Sequence, residues 1–224
     1  MSSRTKPASL SANVPVWVPQ PGNRVVLAVP DTGEAGTLSG ALTRRRSIRE
    51  YQDKPLSLEH VSRLLWAAQG VTGVGGLRTA PSAGAIYPLK AYLIASQVSG
   101  LTPGIYRFEP DTNELAFVQK GDRRRLLFQS AMGQECVKMS PAAVLLVSWN
   151  KRMQGEFGDH AEKLILIECG HAAQNFLLEA VSLGLGGIGL AKFDADAIRT
   201  AVAFRTDEEP RYLLLAGHPG IPGK

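Results

Sequence analysis

The spacing of hydrophobic residues along the chain predicts five helices. In each of them apolar positions recur every three or four residues, and residues suited to cap a helix stand at several of the ends. The first predicted helix begins after Thr37, and the second runs from Ser57 to Gly70. The other three cover Arg123–Met132, about His160–Leu183, and Asp194–Ala203. The helix over residues 160–183 is the longest and is apolar on most of its faces, which is typical of a central helix.

Shorter apolar runs predict strands between these helices. Ala142–Trp149 is a short apolar run bounded by Pro141 and Asn150, a pattern typical of a buried strand. Further strands are predicted at Lys90–Ala95, Gly104–Glu109, Leu115–Val118, Ile188–Phe193 and Tyr212–Gly217. Because the helices and strands mix without regular βαβ alternation, the sequence predicts an α+β fold.

Residues 1–36 differ from the rest of the chain. They hold five of the 14 prolines and show no sustained periodicity, so we expect an extended or wrapped N-terminal arm and not a domain. The whole chain of 224 residues is long enough to bury a sizeable core. Residues 37–224 are therefore expected to form a single domain.

Composition narrows the class of protein. Hydrophobic residues make up 44% and charged residues 20%, which excludes general disorder. Two cysteines are too few for a disulfide framework and indicate a reducing compartment. The first twenty residues contain no apolar segment typical of a secretory signal, and the strongest apolar run is far shorter than the ~20 residues of a membrane span. These features together predict a soluble, cytoplasmic protein.

The basic balance of the chain, a net charge of +5, points to an anionic partner. Sixteen of the 25 basic residues are arginines, and two runs stand out at Arg44–Arg46 and Arg123–Arg125. Either run taken alone can be a solvated helix face. Neither is interleaved with aromatic residues, and no zinc or RNP-type pattern is present, which argues against nucleic acid. A smaller anionic ligand fits better, because the planar guanidinium suits phosphate.

Three familiar motifs are excluded or disfavoured. Gly184–Gly189 matches the G-x-G-x-x-G string, but it follows a helix and leads into a strand, the reverse of the order that dinucleotide binding requires. The alternative is a helix C-terminus and turn, whose glycines could still let a ligand lie against bare backbone. His171 lies within the apolar long helix and is interpreted as a core residue. No metal-ligand spacing occurs, and Ser82 lies outside any nucleophile elbow, so neither a metal site nor a catalytic triad is predicted.

The most specific feature is the cluster Arg45-Arg46-Ser47-x-Arg49-x-Tyr51. Cations and a hydroxyl so close together near a helix end can hold a phosphate and leave one guanidinium for a second contact. The stretch Pro81–Ala85 consists of small residues. Together they suggest a flat, phosphate-bearing ligand that lies against exposed backbone.

These residues also carry a family resemblance. The segment from Arg45 to Gly70 resembles the opening of flavin-dependent nitroreductases, through RRSIREY, PLS and the helix end LWAAQG. The segment Arg78–Pro88, RTAPSAGAIYP, is similar to the SagB-type branch that contains the azoline dehydrogenases. Three shorter segments are also similar to that branch: Gly104–Tyr106, Gly170–Asn175 and Gly184–Gly186. The resemblance covers roughly residues 38–219 in consistent order.

The resemblance implies a nitroreductase-like fold, with a central, mostly antiparallel sheet flanked by helices. It also implies an intertwined homodimer with two FMN sites at the subunit interface, so that residues 37–224 would be one FMN-binding domain. Arg45 and Ser47 would hold the FMN phosphate, and Arg49 would approach the N1/O2 edge of the ring. Arg46 would lie at the ribityl chain as a weaker candidate. The remaining implied flavin contacts are Gln134 near the pyrimidine edge, the backbone of Leu190, Ala191 and Lys192 near N5, and Pro81, Ser82, Ala83 and Gly84 from the partner subunit.

The function implied is an oxidoreductase that passes a hydride from NADH or NADPH to an electron-poor acceptor such as a nitroaromatic or a quinone. The alternatives are SagB-type oxidation of peptide azolines and a non-catalytic flavin-binding dimeric module. Glu156-Phe157-Gly158 stands where azoline dehydrogenases usually carry a Lys-Tyr pair before a glycine. Because phenylalanine has no proton to exchange, this departure argues against azoline oxidation.

Overall fold

Local capping chemistry sets the start of the helix predicted from Ser57. The Ser57 hydroxyl accepts a hydrogen bond from the His60 backbone N–H (3.1 Å), and the His60 ring nitrogen accepts one from the Ser57 N–H (3.3 Å). This reciprocal pair is a capping box, which satisfies two backbone donors that the helix itself leaves free. Thr37 and Asp194 cap two further helices in a similar way, through their side-chain oxygens.

The structure is a computed structural model that describes residues 24–27 and 37–220. Its α-helices are α1 (Leu38–Arg44), α2 (Leu58–Gln69), α3 (Arg124–Ser130), α4 (Cys136–Met139), α5 (Asn150–Phe157), α6 (Ala161–Ser182) and α7 (Ala195–Val202). Its strands are β1 (Arg24–Val26), β2 (Leu89–Ala95), β3 (Gly104–Glu109), β4 (Glu114–Lys120), β5 (Ala142–Trp149), β6 (Gly186–Leu190) and β7 (Glu208–Gly217).

The described strands form one seven-stranded sheet in the order β1-β4-β3-β2-β5-β7-β6, and each neighbouring pair is antiparallel. Strand β5 lies near the middle and pairs with β2 and β7 along its whole length, which explains its continuous apolar run. The α+β class and the antiparallel sheet expected from the sequence are therefore confirmed.

Helices cover both faces of this sheet. Side chains of β2 alternate between the two cores: Leu89, Ala91 and Leu93 face one, whereas Tyr92 and Ile94 face the other. The first core, which we call the α6 face, is built with α2, α5 and α6. The second, which we call the α7 face, is built with α3, α4 and α7.

Most predicted elements occur within a few residues of their expected ends, but three details differ. Helices α4 and α5 and strand β1 were not predicted, because the two helices lack a long apolar stripe and the strand spans only three residues. Strand β7 begins at Glu208, four residues before its predicted start at Tyr212. The interpretation of His171 as a core residue was wrong: His171 is exposed, because α6 leaves one face uncovered.

The N-terminal arm predicted for residues 1–36 lies mostly outside the described residues. Its described part includes β1, which pairs with β4 at the edge of the sheet. The division into an arm and a single domain remains a prediction.

Candidate functional site

The segment that contains the arginine cluster is held against the sheet edge at β6. The Ile48 backbone N–H donates to the Gly187 carbonyl (3.1 Å), and the buried Tyr51 hydroxyl donates to the Ile48 carbonyl (2.9 Å). Gly186 permits this close approach, since a Cβ at that position would lie 2.8 Å from Ile48 side-chain atoms. The glycines at 186, 187 and 189 therefore belong to strand β6, and not to the turn that the sequence suggested as the alternative to a dinucleotide motif.

Within this segment, three side chains are available to a ligand. Arg45 is half-buried and Ser47 and Arg49 are exposed, and none of the three side chains forms a hydrogen bond or ion pair with the described residues. Arg46 differs, because its guanidinium donates to the carbonyls of Thr43 (3.0 Å) and Arg45 (2.7 Å) at the end of α1.

Two other predicted contacts lie on the same side of the molecule. The Gln134 amide donates to the Lys192 carbonyl (3.3 Å), which joins the turn before α4 to the segment after β6. Arg49 lies close enough to Cys136, at the start of α4, for its charge to lower the pKa of that thiol against the larger, opposing effect of burial. The structure thus brings Arg45–Arg49, Gln134 and Leu190–Lys192 to one edge, around β6 and the α7 face.

The small-residue stretch Pro81–Gly84 belongs to a different surface. Its start is tied down by Asn175 of α6, whose amide donates to the Thr79 carbonyl (3.1 Å), and the Ser82 hydroxyl accepts from the Tyr87 N–H (2.9 Å). Gly84 has a positive φ of 59°, and Ala85 and Tyr87 are also left-handed, at 51° and 52°. Non-glycine residues in this region carry strain and tend to cluster at functional sites.

The Glu156–Phe157 pair lies beside this stretch. A Cβ on Gly84 would meet the Phe157 ring at 3.3 Å, so the phenyl ring packs directly over the glycine. Glu156 is exposed. A ring without a polar atom therefore lies over the loop.

The two groups of predicted residues pack on opposite faces of the sheet. Ala83 and Phe157 lie against the α6 face, whereas Ile48 and Leu190 belong to the α7 face. Among the described residues no hydrogen bond joins Pro81–Gly84 to the arginine cluster. Within one protomer the two groups therefore lie on different faces of the sheet.

One functional candidate, Glu168, was missed by the sequence analysis. It lies in the middle of α6 with 1% of its surface exposed, and burial raises its pKa to about 7. An acidic residue within an otherwise apolar helical stripe was the available signal, because a glutamate is almost never fully buried without a partner.

Two further findings concern only the described part of the chain. It contains no group of three or more side chains suited to hold a metal ion. It also contains no helix both long and apolar enough to cross a bilayer.

Comparisons with known proteins agree with this architecture. Residues 42–218 match the family model described as the nitroreductase family. A protein of Methanocaldococcus jannaschii that carries a provisional nitroreductase name is 33% identical over 196 residues, which span 88% of this chain and 98% of that protein.

Solved structures show the same fold. A structure from Ralstonia eutropha with a provisional nitroreductase title has a TM-score of 0.78 and 29% identity, over 92% of this chain and 96% of that one. A chain of the Escherichia coli microcin synthetase McbBCD complex has a TM-score of 0.71 over 98% of this chain and 85% of its own, but at 18% identity it shows the fold alone.

The matched family consists of oxidoreductases that typically depend on a flavin. The chain belongs to the nitroreductase family.

Proposed function

We propose that this chain is a homodimeric FMN-dependent oxidoreductase that passes a hydride from NADH or NADPH to an electron-poor acceptor of the nitroaromatic or quinone type. The observation that carries the proposal is the convergence of Arg45, Ser47 and Arg49 with Gln134 and Lys192 at one edge of the sheet. The two buried cysteines are free thiols, which fits the reducing cytoplasm that we infer as its compartment.

The donor set fits FMN. Arg45 and Ser47 would hold the phosphate, because a guanidinium and a hydroxyl without internal partners are suitable donors to its oxygens. Arg49 would place a positive charge near the N1/O2 edge, where it stabilises negative charge on the ring. Arg46 is the weaker candidate at the ribityl chain, since its guanidinium already donates to two carbonyls.

The remaining contacts would come from amides and small residues. Gln134 would approach the pyrimidine edge, and the backbone of Leu190, Ala191 and Lys192 would cover the ring near N5. When bound, FMN would supply two-electron hydride exchange. The small side chains of Pro81–Gly84 would leave room for a substrate to stack on the ring.

A second copy of the chain would complete the site. The two groups of predicted residues pack on opposite faces of one protomer, so a flavin that touches both needs Pro81–Gly84 from a partner subunit. The uncovered face of α6 exposes 51% of Leu166 and 45% of Ile167, and α1 exposes Leu38 and Leu42. Apolar surface of this kind is typical of a homodimer interface.

We expect the variant Ile167→Glu to dissociate the dimer, because a charge buried between two apolar surfaces is strongly unfavourable. Sedimentation velocity should show a monomer, and FMN content should fall with it. Gln129→Glu is the control, since it adds the same charge to an exposed position of α3 on the other side of the sheet. Ala172, by contrast, is fully buried within the protomer, so a charge there would test folding and not association. A monomeric Ile167→Glu protein with stoichiometric FMN would overturn the shared site.

The reaction class is tested by anaerobic mixing of the flavin-loaded protein with NADH or NADPH. The visible flavin absorbance should bleach and return on addition of a quinone or a nitroaromatic. If FMN binds but is never reduced, the protein is a flavin-binding module without turnover. A colourless protein that shows no thermal shift with added FMN would refute the proposal as a whole.

A further inference from the structure

The buried carboxyl group of Glu168 is unusual in having no well-formed partner. The residue is 1% exposed, and neither carboxyl oxygen makes a hydrogen bond of good geometry with the described residues. Burying a carboxylate in this state is costly, whereas the protonated form avoids most of that cost. These surroundings therefore favour the protonated form of the Glu168 carboxyl group.

Two polar side chains face Glu168 from the loop that packs against α6. The Ser82 hydroxyl and the Arg78 guanidinium each lower the pKa of Glu168, and burial outweighs both, so that the value rises from 4.5 to about 7. On its own helix the titratable neighbours are the buried Cys169, next along the chain, and the exposed His171, three residues after Glu168. A carboxyl with this pKa can both give and take a proton near neutral pH.

The Ser82 hydroxyl has the hydrogen-bonding capacity to pass on a proton. Its oxygen already accepts the Tyr87 N–H (2.9 Å), which leaves the hydroxyl hydrogen to be donated elsewhere. The residue is half-buried and lies within the exposed loop around Pro81 and Gly84. It thus connects the interior of α6 with the loop proposed to face the flavin.

The positive charge of Arg78 can stabilise the ionised carboxylate of Glu168. Its guanidinium donates to the Gln69 side-chain oxygen (2.7 Å) and lies 4.8 Å from the centre of the Tyr87 ring. Its Nε is buried and has no acceptor among the described residues. A fixed cation beside Glu168 limits the cost of the carboxylate that remains after a proton has left.

We propose that Glu168 stores a proton for the oxidoreductase site and delivers it to the substrate through the Ser82 hydroxyl. The Ser82 hydrogen moves to the anionic atom of the reduced acceptor, the Glu168 proton replaces it on the Ser82 oxygen, and Glu168 is left as a carboxylate beside Arg78. No electron moves in this step, and solvent restores the proton before the next turnover. The relay rests on the proposed function, and it supplies the proton donor that Phe157 cannot be.

Thermal unfolding against pH tests the proton store without any flavin. Because the pKa of Glu168 is raised in the folded state, its protonated form stabilises the fold at low pH, and this contribution is lost as the pH rises from 4.5 through about 7. Between about pH 5.5 and pH 8 the Tm of the wild type should fall by about 4–8 °C more than that of Glu168→Gln. The control Glu162→Gln removes an exposed carboxylate from the same helix and should follow the wild type. Equal slopes for Glu168→Gln and the wild type would overturn the proton store.

The relay itself is tested by the pH profile of quinone reduction by the flavin-loaded dimer. In the wild type kcat should fall above a pH of about 7, as Glu168 loses its proton. In Glu168→Gln kcat should be lower by roughly tenfold to a hundredfold with KM little changed, and its fall near pH 7 should be absent, since the positioned acid is gone.

Ser82→Ala provides a second, independent variant. It should keep a pH-dependent Tm, because Glu168 is still present, with the fall moved to higher pH because the Ser82 hydroxyl lowers the pKa of Glu168, but it should lose the pH-dependent part of kcat. A wild-type pH profile of kcat in either Glu168→Gln or Ser82→Ala would refute the relay. A protein that binds no flavin at all would instead refute the proposed function, and the Tm series would still decide whether Glu168 holds a proton.

Discussion

Alanine in place of Arg45 or Arg49 is expected to weaken FMN binding by about tenfold to a hundredfold for each replacement. The physical reason is the loss of a charge-assisted hydrogen bond, worth about 1.5–3 kcal/mol, from a guanidinium that has no other partner among the described residues. Fluorescence titration of the apoprotein with FMN measures the change in Kd.

Two other arginines give matched comparisons. Arg46→Ala should cost less, because its guanidinium is already engaged by the carbonyls of Thr43 and Arg45. Arg125→Ala removes the same charge from an exposed position on α3 and should leave Kd unchanged. A wild-type Kd in both Arg45→Ala and Arg49→Ala would contradict the assignment of the site.

Replacing Glu208 by alanine is expected to lower the free energy of unfolding by about 3–5 kcal/mol, which corresponds to a fall in Tm of roughly 6–20 °C. Glu208 is fully buried at the start of β7 and accepts hydrogen bonds from the Lys90 ammonium and the Tyr92 hydroxyl (3.0 Å). Its removal would deprive the Lys90 ammonium and the Tyr92 hydroxyl of the carboxylate that accepts from both.

The neighbouring residue offers the control for this measurement. Glu209 pairs with Arg199 at 3.3 Å, but its side chain is 48% exposed, so Glu209→Ala should cost no more than about 1 kcal/mol. Denaturant unfolding of the two variants beside the wild type separates the effects. Equal stability of Glu208→Ala and Glu209→Ala would show that the buried network does not stabilise the fold.

The position of Phe157 bears on the choice among substrates. Its ring lies over Gly84, so it shapes the loop proposed to face the flavin but offers no proton. The microcin synthetase complex shares the fold with this chain, and that likeness extends to no particular reaction. Besides the hydride, the reduction of a small acceptor requires a proton donor, and the Ser82–Glu168 pair can fill this role.

Much of the fold follows from the sequence, because its signals are local. The capping box at Ser57 and the apolar run of β5 each depend on residues within a few positions of one another. The same locality explains why the cluster Arg45–Arg49 could be selected as a ligand site, since its donors are neighbours along the chain. Helices α4 and α5 escaped prediction because neither carries a long apolar stripe.

Only the tertiary structure decided which distant groups meet. The contact between Gln134 and Lys192 joins residues 58 positions apart, and Gly186 allows Ile48 to approach the edge of the sheet. The burial of Glu168 and the exposure of His171 depend on which face of α6 the sheet covers. Periodicity gives the spacing of apolar residues along a helix, but pKa and accessibility depend on neighbours brought by other elements, and these exist only once the chain has folded.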